Sequence, residues 1–235
     1  MRRVWLVIAL AGLMTAIGCG KENYNKRMAK TLEKMEKDKR IKKNLMEAAN
    51  DKKFTDLAIY VRPPKDEAYA KAGQLPVGEG QFDLDASFND KVDASLHVLA
   101  RVKKPKKTPA KGAPPAAVPA TARGAFDADV LSVLSNVFGS PDALLTPKFT
   151  QDVKAGTPFK RLIFPYNDKE VKVYFYKQDA YEVALIFVYG TSLKGPLSSK
   201  IELCLEAFAT GQKATKLFQG GNVDEESESG PAMPM

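Results

Sequence analysis

The sequence has 235 residues with 44% hydrophobic, 9% aromatic and 27% charged side chains and a net charge of +8. That balance suits one domain of about 150 residues with appendages, and excludes both a wholly disordered chain and a polytopic membrane protein. Two cysteines exclude a disulfide-rich scaffold, and a single histidine excludes most histidine-based metal sites and leaves one imidazole for any nucleophilic chemistry.

Arg2 and Arg3 precede 14 uncharged residues, 4–17. At ~1.5 Å per residue this run spans about 21 Å, short of the roughly 30 Å hydrocarbon core, so residues 1–18 read as an export signal peptide rather than a spanning helix. The string Ala16-Ile17-Gly18-Cys19 resembles the lipobox of bacterial lipoproteins, with Ala16 where that family most often carries Leu. The resemblance implies that Cys19 is diacylated, becomes the first residue of the mature chain, and anchors it to a membrane of the bacterial cell envelope, facing the periplasm or the exterior. Two acyl chains hold stably where one does not. Arg2-Arg3 is also similar to a twin-arginine signal but lacks the preceding Ser or Thr. With Cys19 acylated, Cys204 is the remaining thiol and no disulfide partner is expected.

Residues 19–53 are the lipidated N-terminus and a helical tether. Between 21 and 50 there is no Pro or Gly, and Tyr24, Met28, Leu32 and Met35, then Ile41, Leu45 and Ala48, recur at three or four positions. This predicts an amphipathic helix with a thin apolar stripe. It serves as a solvated spacer, a self-association surface, or a helix lying along lipid with its lysines toward the head groups.

Residues 54–218 are read as one α+β domain. A short strand over 57–62 stops at Pro63-Pro64. Phe82, Leu84, Ala86 and Phe88, then Val92, Ala94, Leu96, Val98, Ala100 and Val102, alternate with polar residues and predict a hairpin with one buried face. Asp83, Asp85, Asp90 and Asp93 are read as solvated hairpin acids, and His97 as a solvated strand histidine. Residues 103–123 carry five Pro and six Ala with six basic and no acidic residues, a disordered linker or insertion. A helix is predicted over 127–138, ended by Gly139, then strands over 160–164, 170–177 and 180–190, the last apolar on both faces. Ser199 to Glu202 resembles a capping box for a closing helix that buries Ile201, Cys204, Leu205 and Phe208 and stops at Gly211. Residues 219–235 are a disordered acidic tail.

The charge follows these divisions. Residues 20–53 hold 12 basic and 6 acidic side chains, while Asp224, Glu225, Glu226 and Glu228 make the tail acidic, so the folded part is nearly neutral. Basicity belongs to the tether and linker, which argues against nucleic acid as a partner and for loose attraction to anionic lipid or wall polymer.

The segment 160–211, with its meander ending in VALIFVY and its helix IELCLEAFATG, resembles the C-terminal half of the PsbP-type α/β/α sandwich. The likeness extends over 57–211 and implies an antiparallel sheet with two packing helices, preceded here by the long N-terminal helix, and a non-catalytic binding or assembly module. No phosphate loop, paired-cysteine motif, His-Glu metal motif or Gly-x-Ser-x-Gly elbow occurs. No catalytic residue, cofactor or metal is therefore expected. Lys172, Tyr174 and Tyr176 share one strand face, which is either covered by a helix or exposed as a partner-binding surface. The expected function is a membrane-anchored envelope lipoprotein whose domain binds a protein or polymer partner. The alternatives are a carboxylate-dependent envelope hydrolase using the hairpin acids, or a structural spacer.

Overall fold

The computed structural model describes residues 18–65, 70–71, 75–89, 94–103 and 124–220, with side chains from Tyr24 onward except at 70, 71 and 89. The segment before Gly18 read as an export signal, the side chain of Cys19, Asp90, Asp93, most of the Pro/Ala-rich linker and the acidic tail beyond 220 lie outside the described residues. The chain divides into two units, the first ending at Lys43.

Helix α1 (Gly18–Asn44) dominates the first unit. Its interior is rich in straight-chain Lys, Glu and Met, which form helix readily, and Lys42 and Lys43 in the last turn complement the negative end of the helix dipole. Tyr24, Met28, Leu32 and Met35 are exposed. The helix ends sooner than its periodicity predicts. After Asn44 the backbone turns extended, Leu45 bridges Pro64, and the amides of Met46 and Ala49 donate to the carbonyls of Pro63 (2.8 Å) and Val61 (2.9 Å). These bonds replace the helical ladder, and Leu45 becomes a core residue at 1% exposure.

The second unit is built on a seven-stranded antiparallel sheet. A short helix, α2 (Lys52–Asp56), leads into β1 (Ile59–Tyr60). The sheet strands are β2 (Ala70–Lys71), β3 (Leu84–Asn89), β4 (Ala94–Val102), β5 (Thr150–Lys154), β6 (Thr157–Tyr166), β7 (Lys169–Gln178) and β8 (Tyr181–Gly190). Their spatial order is β2-β3-β4-β8-β7-β6-β5. Helices α3 (Phe126–Phe138) and α4 (Asp142–Leu145) separate β4 from β5, and α5 (Lys194–Ala207), β9 (Ala209–Thr210) and α6 (Gly211–Phe218) follow β8. β9 pairs with β1 in a second, two-stranded sheet. The fold is α+β, with the antiparallel sheet packed by helices and preceded by the long N-terminal helix.

Strand pairing fixes which side chains share a face. Val171, Val173 and Phe175 of β7 lie beside Val188, Ile186 and Ala184 of β8. With Phe126, Val130, Val133 and Leu134 of α3 they form one apolar core. On the opposite face Tyr174 and Tyr176 lie beside Leu185 and Val183, and Leu96 and Val98 of β4 beside Phe187 and Leu185. That face meets α5, whose Leu197, Ile201, Cys204 and Leu205 are buried, and Phe208 just beyond it.

Three expectations are corrected here. The strand over 57–62 shrinks to two residues because Lys52–Asp56 is helical and Pro63-Pro64 follow. Ser199 forms no capping box: α5 already begins at Lys194, and the Ser199 hydroxyl donates to the Pro196 carbonyl at 3.3 Å. Gly211 starts a helix rather than ending the chain's last one. Its φ of +63° sits in the left-handed region open to glycine, and its amide donates to the Ala58 carbonyl at 2.9 Å. The sheet also gains β5, joined to β6 by Ala155-Gly156 with φ of +48° and +77°, the double left-handed turn that matches hairpin twist.

Phe208 is 2% exposed and its ring lies 5.7 Å from Phe159 and 5.1 Å from Tyr176. Phe208→Ala should lower unfolding stability by about 3–5 kcal/mol through the cavity it leaves. Urea unfolding followed by circular dichroism measures this, and a loss below about 1 kcal/mol would place the ring outside the core.

Candidate functional site

The alternation of β7 places Lys172, Tyr174 and Tyr176 on one face, as its sequence implies, and that face is covered. Tyr174 is 4% and Tyr176 7% exposed. The Tyr174 ring lies about 6 Å from both Phe159 and Phe187, and its phenol is pushed up to about 12 by burial. The exposed aromatic surface is therefore not present: α5 and Phe208 occupy the position a partner would take. The residue pattern could not decide this, because a tyrosine serves equally well in a core or at an interface.

Polar chemistry gathers at the two ends of this face. At one end Lys172 Nζ lies 3.3 Å from Glu170 and 5.4 Å from the centre of the Tyr189 ring. Glu170 also accepts from the Tyr189 hydroxyl (2.6 Å) and from Lys194 (2.7 Å). Burial alone raises the Glu170 carboxyl, but the bonds from Lys194 and Tyr189 and the charge of Lys172 outweigh it and hold the group at about 2. This carboxylate is locked as an anion and is a poor proton donor at neutral pH.

At the other end Tyr176 opens onto a cleft of about 310 Å³, bordered by the β5–β6 turn, the end of β7 and the start of α6. The Tyr176 hydroxyl lies 3.2 Å from Gln178 Oε1 and 3.1 Å from Thr210 Oγ1. Asp179 and Lys213 complete its polar rim. Hydroxyls, a carboxamide, a carboxylate and an ammonium offer donors and acceptors to a polar ligand. This is the candidate binding site. Sequence reading found Tyr176 but missed Thr210, which lies in the two-residue β9, and Lys213, since α6 lies beyond the expected stop at Gly211.

His97 departs furthest from expectation. It is 9% exposed, with Nδ1 2.6 Å from Ser87 Oγ and Nε2 3.0 Å from Ser95 Oγ. The solvated reading fails because β4 is an interior strand between β3 and β8, and the face carrying His97, Leu99 and Arg101 is buried too. Burial pulls the imidazole down to about 4, so it is neutral at pH 7. Ser87, at 2% exposure, cannot meet a substrate. The hairpin acids diverge in role. Asp83 accepts from the Val102 amide at 2.9 Å, while Asp85 has one carboxylate oxygen sealed without a partner and its acidity weakened by burial, despite the nearby charge of Lys53. Among the described residues no group of three His, Cys, Asp or Glu side chains is placed to hold a metal ion.

Cys204 matches its expected place. It is fully buried and its thiol is pushed up to about 12 by that burial, so it behaves as a small apolar side chain.

A folded imidazole at about 4, against an ordinary value of 6.5, leaves the unfolded chain holding the extra proton between those values. The contribution is complete above pH 6.5 and is lost as pH falls toward 4. The stability advantage of wild type over His97→Gln should therefore shrink by up to about 3 kcal/mol between pH 7 and pH 4. Urea midpoints of both proteins across that range measure it, and a constant difference would contradict a buried neutral ring.

No family model and no curated protein matches the sequence. Among solved structures the chain is similar to the solution structure of cyanobacterial PsbP (CyanoP) from Synechocystis sp. PCC 6803, at 11% sequence identity and a TM-score of 0.40, with 72% of this chain and 93% of that chain covered.

Proposed function

We propose that the protein is a lipid-anchored lipoprotein of the bacterial cell envelope, held by acyl chains on Cys19, whose α+β domain binds a protein or polymer partner without catalysing a reaction. The anchor rests on the sequence alone: the basic start, the short apolar run and the lipobox-like Ala16-Ile17-Gly18-Cys19. The binding role rests on the cleft at Tyr176, Gln178 and Thr210. Its hydroxyls and carboxamide, with Asp179 and Lys213 at the rim, are groups that exchange hydrogen bonds with a polar ligand.

Two groups that resemble catalytic parts are better explained as structure. The histidine is bonded on both nitrogens within the sheet, and Glu170 is tied by two lysines and a phenol. A base engaged on both sides, beside a serine sealed from solvent, orients the sheet rather than a substrate. Of the hairpin acids, Asp83 accepts from the Val102 amide and Asp85 has a carboxylate oxygen sealed in the fold, places within the strand pair rather than in the cleft.

Cys19→Ala should abolish acylation and leave the signal segment uncleaved, moving the protein out of the detergent-extracted mature membrane fraction. Intact-mass analysis of purified wild type decides the matter. A mature chain beginning at Cys19 with a diacylglyceryl mass is expected, and a chain without that mass would overturn the anchor.

A further inference from the structure

We propose that one face of α1 docks on an anionic lipid bilayer. At about 100° per residue, Tyr24, Met28, Leu32, Met35, Lys39, Lys42 and Lys43 fall within an arc of roughly 100° on one side of the helix. Along that arc the four apolar residues come first and the three lysines last, Lys21 and Asn25 are the further polar positions within it, and no acidic residue of the helix interrupts it. The apolar members are 49–63% exposed, and the three lysines are exposed as well. Met, Leu and Tyr left in water over a helix of this length are the features that the rest of the structure does not use.

Two observations choose lipid over other occupants. From Tyr24 to Asn44 the helix carries nine basic and three acidic residues, so a second copy would meet a like-charged surface, whereas anionic head groups would meet an opposite one. The described helix also includes the cysteine read as the lipid anchor, so its N-terminal apolar half would lie nearest the acyl chains and its lysine half among the phosphates. On the opposite side Lys26, Lys30, Glu33 and Lys37 would stay in water. The inference rests on the anchor reading for the nearness of the bilayer. It adds that the tether is a second, charge-dependent membrane contact rather than an upright spacer.

The test uses the chain acylated and processed in its native host and reconstituted in vesicles; processing removes Trp5, the one tryptophan of the sequence, and a Trp5→Phe background keeps an introduced tryptophan the sole one in any unprocessed chain as well. Leu32→Trp reports the docking face and Lys30→Trp the opposite face. In vesicles containing phosphatidylglycerol, emission from the Leu32→Trp variant should shift to the blue and be quenched by brominated acyl chains, while the Lys30→Trp variant keeps the emission of a water-exposed indole. The shift should be lost in pure phosphatidylcholine, and in the charge-reversed variant Lys39→Glu, Lys42→Glu, Lys43→Glu. Equal emission from both positions, or quenching that ignores phosphatidylglycerol and the charge reversal, would overturn the proposal. So would a lipid-free blue shift that grows with protein concentration, the mark of pairing between copies. The mass at Cys19 in the same sample reports the anchor separately, so failure of one reading is visible without failure of the other.

Discussion

Burial of the central strands on both faces is the constraint from which the domain's architecture follows. β8 runs YEVALIFVYG with nine of its ten residues buried, so neither face tolerates water and each requires an apolar lid. Helix α3 supplies one through Phe126, Val130, Val133 and Leu134. Helix α5 and Phe208 supply the other. Polar chemistry is thereby displaced to the ends and edges of the sheet: Glu170 with its lysines at one end, the Tyr176 cleft at the other, and the Ser87–His97–Ser95 chain toward β3. A domain organised in this way presents the ends and edges of its sheet rather than a broad sheet face to solvent.

The same constraint explains a buried cation. Arg101 is 5% exposed, pairs closely with Asp129 of α3, donates to the carbonyls of Gln81 and Gly124 at 2.9 Å, and stacks near the Phe82 and Phe126 rings. A guanidinium can satisfy several acceptors while its flat faces remain against aromatics, which a lysine cannot do. Its position matters as much as its bonds. Arg101 stands before the Pro/Ala-rich stretch and Gly124 after it, and the Lys103 amide donates to the Ala180 carbonyl at 2.8 Å. The chain thus leaves and re-enters one folded unit at neighbouring points, where a long insertion adds little closure entropy.

Much of this architecture was legible because hydrophobic period reports burial directly. Residues 127–138 read correctly as helix because five apolar residues repeat at helical spacing, and 180–190 as a central strand because its apolar run leaves neither face polar. β5 escaped notice because TQDVK is an edge strand with little apolar content, and its pairing is set by the Ala155-Gly156 turn rather than by its own pattern. His97 was misjudged for a related reason. Alternation shows which residues share a face, but whether the second face of β4 is covered depends on Leu75 and α3, which arrive from distant sequence. Tyr176 was legible as a residue of interest, whereas Thr210 and Lys213 became neighbours only through the pairing of β9 with β1 and the helix start at Gly211.

The most direct test of the two-faced core is the double substitution Tyr174→Ser, Tyr176→Ser, followed by urea unfolding with far-ultraviolet circular dichroism. Both rings are at least 93% buried against Phe159, Phe187 and Phe208. Their removal should cost more than about 4 kcal/mol, leaving the domain largely unfolded at low denaturant. An unfolding midpoint equivalent to within about 1 kcal/mol of wild type would mean that the rings face solvent, and that α5 does not close this side of the sheet.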